Sequence, residues 1–285
     1  MNEASHPTAP LTPPGDRDSS MRAGCTLVTG ASSGLGEEFV WQLAPKVERM
    51  VLVARRGDLL ENLATRVRTG FPELELVVHA ADLTGDESCS SLAERLENRG
   101  WGVNCLINNA GLGDYGEFAT AEWPRIEAML RLNIEVLTRL THWVLPSMIA
   151  CGGGAILNVS SLASLLPIPD FAVYAATKAY VTSFSEALRI ELRPHHIQVL
   201  AVCPGPVHTG FGQVAQRNGV GGRKIPGREC FYVPKQQVVR EALAALESGK
   251  ARVYPGLKTA AAALVISAVP IILLRLAMGF RPRKS

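Results

Sequence analysis

The sequence of 285 residues has little charge, few aromatic residues and no closely spaced metal ligands. Charged residues make up 19% and aromatic residues 6% of the chain, and the formal net charge is only +3. So small a charge argues against nucleic acid as a partner. The six cysteines, at positions 25, 89, 105, 151, 203 and 230, include no CxxC pair. We therefore predict no metal site and expect a reducing, cytoplasmic compartment.

The N-terminal stretch lacks the basic start and the apolar run of a secretory signal. It is rich in Pro, Ser, Thr and Asp, and we predict a disordered lead-in over residues 1–21. Apolar residues make up 47% of the chain, which is ample for a packed core. We expect one large dinucleotide-binding and catalytic domain over residues 22–255.

Short apolar runs alternate with longer stretches of helical periodicity. Strands are predicted at residues 25–29, 50–54, 74–79, 104–107, 155–159 and 197–203, with a further short run at 252–254. Helices are predicted at residues 36–44, 58–69, 87–98, 122–149, 172–192 and 235–248. Strands that are apolar throughout are typical of a parallel sheet covered on both faces. The alternation predicts an α/β fold with a doubly wound parallel sheet. Residues 206–233 fit no regular element and follow the sixth strand, so we predict a functional loop there, at the carboxyl edge of the sheet.

Three glycines, Gly30, Gly34 and Gly36, separate the first predicted strand from the first helix. Glycine lets a backbone turn sharply and approach a pyrophosphate, which the helix N-terminus then attracts. Ser32 and Ser33 can add hydroxyl donors. Taken alone, the same spacing also fits a tight turn with close packing, but its place in the first βα turn favours a dinucleotide site.

The end of the second predicted strand indicates which dinucleotide is bound. An acidic residue there would bind the ribose 2′-hydroxyl of NAD, but this strand ends in Arg55 and Arg56. Arginine can clamp a 2′-phosphate, so we predict NADP(H); the alternative is that both arginines only begin a solvated helix. Asp82 and Leu83 follow the third strand, where they can contact adenine, although Asp82 also fits a turn cap.

Tyr174 and Lys178 lie four residues apart on one predicted helix and so share a face. A nearby ammonium favours the phenolate and lowers the pKa of a tyrosine, which makes it a better acid-base group. The spacing alone is weak, because chance supplies it in many helices. Ser161, thirteen residues before Tyr174 at the end of a strand, strengthens it, since its hydroxyl can stabilise a substrate oxygen.

Six motifs together resemble the short-chain dehydrogenase/reductase family. They are TGASSGLG at 29–36, NNAG at 108–111, Asn133, SS at 160–161, YAATK at 174–178 and PGPVHT at 204–209. The resemblance covers about residues 23–255 and implies a Rossmann-like domain and a nicotinamide cofactor. The residues named above and those that the resemblance adds give the predicted cofactor contacts, which are Gly30, Ser32, Ser33, Gly34, Leu35, Gly36, Arg55, Arg56, Asp82, Leu83, Asn109, Ala110, Gly111, Tyr174, Lys178, Pro204, Gly205, Val207 and Thr209.

The same resemblance implies a catalytic tetrad. Tyr174 is the general acid-base group, and Lys178 lowers its pKa and holds the nicotinamide ribose. Ser161 polarises the carbonyl, with Ser160 as the alternative. Asn133 holds a water that links Lys178 to solvent. The expected function is interconversion of a carbonyl and an alcohol on a hydrophobic small molecule. A cofactor-sensing scaffold on the same fold, or another reaction such as epimerisation or dehydration, remains an alternative.

The C-terminal segment departs from this pattern. Residues 260–274 are apolar except for Ser267, Arg275 interrupts the run, and the chain ends in RPRKS. We predict an extra hydrophobic helix with a basic end over residues 256–285. It could pack on the domain or a subunit, lie on a membrane through residues 259–280, or span the membrane. The family resemblance further suggests a homo-oligomer.

Overall fold

A seven-stranded parallel sheet lies at the centre of the computed structural model, which describes residues 24–217 and 231–270. The strand order is β3-β2-β1-β4-β5-β6-β7. The strands are β1 Cys25–Thr29, β2 Arg49–Ala54, β3 Glu75–Ala80, β4 Val103–Asn108, β5 Gly154–Val159, β6 Ile197–Val202 and β7 Arg252–Val253. The order reverses between β1 and β4, which makes their carboxyl ends the topological switch point. The predicted doubly wound α/β fold is confirmed.

Helices cover both faces of the sheet. They are α1 Gly34–Leu43, α2 Gly57–Gly70, α3 Ser88–Glu97, α4 Trp123–Leu130, α5 Leu137–Ala150, α6 Ala172–Glu191, α7 Phe211–Ala215, α8 Lys235–Glu247 and α9 Leu257–Ala268. One core cluster joins α1, α2 and α8 to the sheet around Phe39 and Leu63. A second joins α3 and α5 to the opposite face around Leu92 and Leu140. The continuous apolar strands of the sequence are explained by this double cover.

The predicted single helix over residues 122–149 is wrong in its middle. A π-helical turn at Arg131–Val136 separates α4 from α5. Such a turn adds a residue to the helix without breaking it, so the apolar periodicity of the sequence does not reveal it. Here it carries Asn133, whose buried side chain faces the backbone of Leu112.

The predicted loop over residues 206–233 contains one short helix, α7, in its described part. Its two described ends are joined where Val233 donates its backbone N–H to the carbonyl of Pro206 at 3.1 Å. Residues 218–230 lie outside the described residues. The segment before the gap also pairs with the chain after β4, since Tyr115 forms a parallel bridge with Gln216. The carboxyl edge of the sheet is therefore enclosed from this side.

The extra C-terminal helix is present as α9, but it ends at Ala268. Val269 is extended, as the residue before a proline usually is, and Pro270 follows. The prediction of one helix over residues 256–285 is thus corrected at its C-terminal side. Residues 271–285 and the lead-in over residues 1–21 lie outside the described residues. Among the helices that are described, none combines the length and the apolar character needed to cross a membrane.

Candidate active site

The predicted site residues meet at the carboxyl edge of the sheet because every strand runs in the same direction. Strands β1, β4, β5 and β6 end at Thr29, Asn108, Val159 and Val202, and each is followed by one of the motifs. Asn109 connects two of these ends. Its side-chain amide donates to the carbonyl oxygens of Thr29 at 3.0 Å and Gly30 at 3.2 Å. The first glycine turn is thereby fixed against the chain after β4.

The glycine turn has the shape that a pyrophosphate requires. Gly30 and Gly34 have φ values of +64° and +63°, and a Cβ on Gly36 would collide with the carbonyl oxygen of Gly30. Ser33 occupies the N-cap of α1 but gives no side-chain cap hydrogen bond. The first N–H groups of α1 are therefore left for an anion. A Cβ on Gly34 would lie 3.2 Å from a methyl carbon of Thr209, so the PGPVHT loop borders the same turn.

The two arginines after β2 occupy different positions. Arg56 donates to the hydroxyl oxygens of Ser33 at 2.8 Å and Ser32 at 3.2 Å, so its guanidinium lies over the glycine turn. Arg55 instead lies 3.9 Å from a carboxylate oxygen of Asp82. Arg56 is thus the cation at the rim of the glycine turn, whereas Arg55 lies at the loop that begins with Asp82. A 2′-phosphate fits this cationic rim, whereas a carboxylate at either position would repel it.

Asp82 has the turn contacts that the sequence left open as an alternative. Its carboxylate accepts hydrogen bonds from the backbone N–H of Thr84 at 3.0 Å and from the hydroxyl of Thr84 at 2.8 Å. Leu83 beside it is buried. The pair closes the loop after β3, next to Arg55.

Gly111 and Gly205 allow close approach of other side chains at two further points of the carboxyl edge. A Cβ on Gly111 would lie 3.4 Å from the side-chain oxygen of Asn133 and 3.5 Å from the Nζ of Lys178. A Cβ on Gly205 would lie 2.9 Å from the hydroxyl oxygen of Thr259, on α9. The C-terminal helix therefore packs directly on the loop that also contains Pro204 and Val207. No motif in the sequence indicated that contact.

Tyr174 and Lys178 share one face of α6 and are both buried, with Tyr174 only 7% exposed. The Nζ of Lys178 lies 5.7 Å from the centre of the Tyr174 ring. The ammonium donates to the carbonyl oxygen of Val159 at 2.9 Å, at the end of β5. The structure thus brings the predicted pair together beside the chain that contains Ser161.

The geometry distinguishes the two serines after β5. Ser160 is buried and donates to the carbonyl oxygen of Lys178 at 2.8 Å, with the hydroxyl of Thr182 at 2.7 Å. Its hydroxyl is therefore occupied in packing β5 against α6. The hydroxyl oxygen of Ser161 accepts from the N–H of Ala163 at 3.1 Å, which leaves the hydroxyl proton available. Ser161 also lies close enough to Tyr174 to act on the pKa of its phenol.

Burial dominates the acid-base properties of this cluster. It raises the pKa of Tyr174 to about 12, and the hydrogen bond from Ser161 only partly opposes this. Burial also lowers the pKa of Lys178 to about 8, against a smaller opposite effect from Cys203. The net effect on Tyr174 is thus a raised pKa, and a lowering by Lys178 stays a prediction. The physical reason is that removing a phenolate from water costs more than a distant ammonium returns.

The side chain of Asn133 contacts the chain after β4 and helix α6. Its side chain accepts from the N–H of Leu112 at 2.9 Å and donates to the carbonyl of Leu112 at 2.9 Å. It donates in addition to the hydroxyl of Thr177 at 3.0 Å. The carboxamide therefore fixes the chain after β4 against α6, and a link from a water to Lys178 stays a prediction.

Two aromatic rings, Phe171 and Phe211, pack against Tyr174, and a third, Tyr115, packs against Phe171; we call these three rings the aromatic cage. The ring centres of Phe171 and Phe211 lie 4.5 and 5.5 Å from that of Tyr174. Tyr115 packs edge-on against Phe171 at 5.5 Å. The sequence analysis missed all three, because they come from three distant segments and follow no common spacing. The cage gives the phenol an apolar surrounding.

Known proteins that resemble the chain include a family of dehydrogenases and several reductases. The family model described as short chain dehydrogenase matches residues 24–218. The very-long-chain 3-oxoacyl-CoA reductase of Rattus norvegicus is 31% identical over 193 residues, covering 66% of this chain. That of Podospora anserina is 34% identical over 209 residues, covering 72%. The chain spans only 61% and 60% of the lengths of these two relatives.

Solved structures resemble the chain over more of its length. A short-chain dehydrogenase from Sphingobium yanoikuyae in complex with NADPH is 30% identical with a TM-score of 0.75, covering 92% of this chain and 98% of that one. A bulky-bulky ketone specific alcohol dehydrogenase from Comamonas testosteroni is 27% identical with a TM-score of 0.71, covering 92% and 96%.

Proposed function

Because the chain belongs to the short-chain dehydrogenase/reductase family, we propose that it reduces a carbonyl on a hydrophobic substrate with NADPH, and that 3-oxoacyl thioesters are the leading substrate class. The observation that carries this proposal is that buried Tyr174 and Lys178 lie with partly buried Ser161 next to the aromatic cage, beside a glycine turn bordered by Arg56. The relatives named as 3-oxoacyl-CoA reductases supply the substrate class.

The coarser part of this function follows from the family. The chain is a nicotinamide-dependent oxidoreductase that acts on carbonyl or alcohol groups. The predicted cofactor, NADP(H), is confirmed at the level of the family and its solved relatives, one of which holds NADPH. In this chain the glycine turn would hold the pyrophosphate, and Arg56 and Arg55 would face the 2′-phosphate. When bound, the cofactor supplies or accepts the hydride.

The residues of the chain handle the substrate oxygen and its proton. Ser161 keeps its hydroxyl proton and donates it in a hydrogen bond to the substrate oxygen, which stabilises the negative charge that develops there. Tyr174 donates its phenolic proton to the same oxygen, which completes the alcohol. Lys178 places a cation under the phenol and favours the phenolate left behind. Asn133 acts as a positioning residue that holds the chain at Leu112 beside these groups.

The apolar cage favours a substrate with a hydrophobic body. A steady-state assay tests this with the purified full chain, a series of 3-oxoacyl thioesters of increasing chain length and a series of bulky ketones, each with NADPH and NADH. We expect NADPH to be preferred. We expect kcat/KM for the thioesters to rise by about fourfold for each CH₂ that becomes buried, until the pocket is filled.

Arg56→Asp serves as the matched control for the cofactor half of that assay. It replaces the cation over Ser32 and Ser33 by an anion, and we expect the preference for NADPH over NADH to fall about tenfold or more. Turnover of the bulky ketones alone would replace the proposed substrate class. Cofactor binding without turnover of either series would favour a cofactor-sensing scaffold, and an acyl product altered without loss of NADPH would favour another reaction.

A second proposal concerns the partner of α9. Leu257, Leu264 and Val265 are 91%, 72% and 62% exposed, and they are the largest apolar side chains on the outer surface of this helix. The sequence after α9 continues with residues IILLRLAMGFRPRKS, which contain four basic residues. Apolar surface followed by basic charge suits an anionic membrane surface. We propose that the protein is cytoplasmic and contacts membranes peripherally through residues 259–280.

Vesicle flotation measures this contact. We expect the full chain to bind vesicles that contain anionic phospholipid more strongly than neutral vesicles, and high salt to weaken the binding. Leu264→Glu should lower the bound fraction several-fold, because a carboxylate must then approach an anionic, apolar layer. Phe118→Glu is the matched control, since Phe118 is 62% exposed but lies far from α9 in sequence. Equal losses in the two variants, or no binding by the wild type, would remove the proposal.

The outer face of α6 supports a homo-oligomer, which also remains a proposal. A groove of about 650 Å³ lies between the loop at residues 164–169 and this face of the helix, and alanines line it on the helix side. Three of these alanines, at 172, 176 and 179, are exposed on the side of α6 turned away from Tyr174 and Lys178, and Ala175 is buried beside them. This apolar groove is thus suited to a subunit contact rather than to the reaction.

A further inference from the structure

A buried ion pair joins two segments that are 103 residues apart. The Asp114 side chain is 4% exposed and that of Arg217 10%. The Arg217 guanidinium donates two hydrogen bonds to the Asp114 carboxylate, from Nη2 to Oδ2 at 2.6 Å and from Nε to Oδ1 at 3.0 Å. Arg125 adds a third contact, Nε to Oδ1 at 3.1 Å. Bidentate pairs of this kind fix orientation as well as distance.

Arg217 also satisfies the chain that follows Asp114. Its Nη1 donates to the carbonyl oxygen of Glu117 at 2.9 Å and to the hydroxyl of Thr120 at 3.0 Å. The backbone N–H of Tyr115 donates to the carbonyl of Ala215 at 2.8 Å. The segment at residues 211–217 is therefore attached to the segment at residues 113–120 through side chain and backbone together.

Two glycines make room for this attachment. A Cβ on Gly116 would lie 2.9 Å from the guanidinium carbon of Arg217, and φ at Gly116 is +153°. A Cβ on Gly113 would lie 2.7 Å from the ring of Phe211. The sequence GDYG at 113–116 thus contains an anion, a cage ring and two positions without side chains, which together accept Arg217 and Phe211. No motif of the nicotinamide site requires this arrangement.

The attached segment forms a wall of the cage. Phe211 lies 5.5 Å from the Tyr174 ring, between ring centres. The opposite side of the GDYG segment is held to the start of α6, because Gly116 donates its N–H to the carbonyl of Asp170 at 2.8 Å. The ion pair therefore sets the distance between the wall that contains Phe211 and the helix that contains Tyr174.

We propose that Arg217, held by Asp114, is a positioning residue that fixes Phe211 over Tyr174 and thereby selects substrates with long apolar bodies. This inference rests on the proposed function, since it concerns the substrate of that same pocket. Arg217 contacts no reacting atom. Losing it loosens the wall and the apolar contacts beyond the carbonyl, while the Ser161 hydroxyl keeps its place after β5 and the Tyr174 phenol its place on α6.

The test compares Arg217→Met and Arg217→Lys with the wild type on the thioester and ketone series. For Arg217→Met we expect KM for the longest substrates to rise about tenfold, as the contact with an aromatic wall is lost. We expect KM for the shortest substrates and kcat for all of them to change less than about threefold. Arg217→Lys keeps the charge but loses the fork, so it should restore KM only in part.

Two further measurements separate positioning from general damage. Arg139→Met is the matched control, because it removes an exposed arginine that only pairs with Glu135 at 3.5 Å; it should leave the KM series unchanged. Hydrogen exchange of the Tyr115 amide, which donates to Ala215, should accelerate in Arg217→Met and not in the control. NADPH affinity and melting of the folded chain show whether the variants still fold.

The outcomes decide the proposal. A KM increase that is uniform across chain lengths, a parallel loss of kcat, or unchanged exchange at Tyr115 would overturn it. A wild type that reduces no carbonyl would remove the proposed function and the selection role with it. Exchange at Tyr115 would still report separately whether Arg217 holds the wall in place.

Discussion

Tyr174→Phe is expected to lower kcat/KM by about 10² to 10⁴-fold, because it removes the only proposed proton donor to the substrate oxygen. The ring itself stays, so the packing against Phe171 and Phe211 is preserved. Cofactor affinity should stay within about fivefold, since a single neutral hydrogen bond contributes only about 1 kcal/mol net. Stopped-flow or steady-state NADPH oxidation gives the first quantity, and fluorescence titration of NADPH gives the second.

Tyr180→Phe is the matched control for this variant. Tyr180 lies on the same helix, with its hydroxyl 2.9 Å from that of Thr138 and its ring stacked on Phe184. Its phenol is directed away from the site, so activity should be retained. Full turnover by Tyr174→Phe on an accepted substrate would contradict the proposed acid-base role. A collapse of cofactor binding in the same variant would instead indicate that the pocket had been damaged.

Lys178→Met is expected to abolish most turnover and to change how stability depends on pH. The pKa of the buried ammonium is about 8, against 10.5 in an exposed lysine. The unfolded chain therefore binds the proton more tightly, and charging the buried group destabilises the folded state. The free energy of unfolding is therefore highest above pH 10.5, where the amine is neutral in both states. This extra stability is lost as the pH falls through about 8, where the buried amine takes up its proton.

Urea unfolding of wild type and Lys178→Met across pH 7 to 10.5 measures this effect. The free energy of unfolding of the wild type, relative to the variant, should rise by about 3 kcal/mol between pH 8 and 10.5. This is the gap between the folded and unfolded pKa values, converted at about 1.4 kcal/mol per pKa unit. Methionine fills a similar volume without a charge. A difference between the two proteins that stays constant with pH would contradict the burial of a titrating amine at this position.

The sequence by itself determined the fold, the family and the edge of the sheet where the site lies. Apolar strands alternating with amphipathic helices leave little choice but a covered parallel sheet. Gly30, Gly34 and Gly36 are readable because the turn they make is local and needs positive φ or the absence of a Cβ. The predicted family is confirmed. The pair of Tyr174 and Lys178 was also readable, since four residues on a helix make one face.

Only the tertiary structure decided which groups lie close to one another across the chain. It placed Arg56 over the serines of the glycine turn, occupied Ser160 in packing, and raised the pKa of Tyr174 through burial. The physical reason is that burial and long-range contact depend on segments far apart in sequence.

The substrate side of the site shows this dependence most clearly. The aromatic cage draws its rings from three separate segments, and Asp114 meets Arg217 across 103 residues. A local sequence pattern predicts turns, helices and strands. It does not predict which side chain from a distant segment completes a pocket. The residues of the cofactor site could therefore be predicted from the sequence, because its motifs are local. The walls proposed to surround the substrate could be identified only from the folded structure.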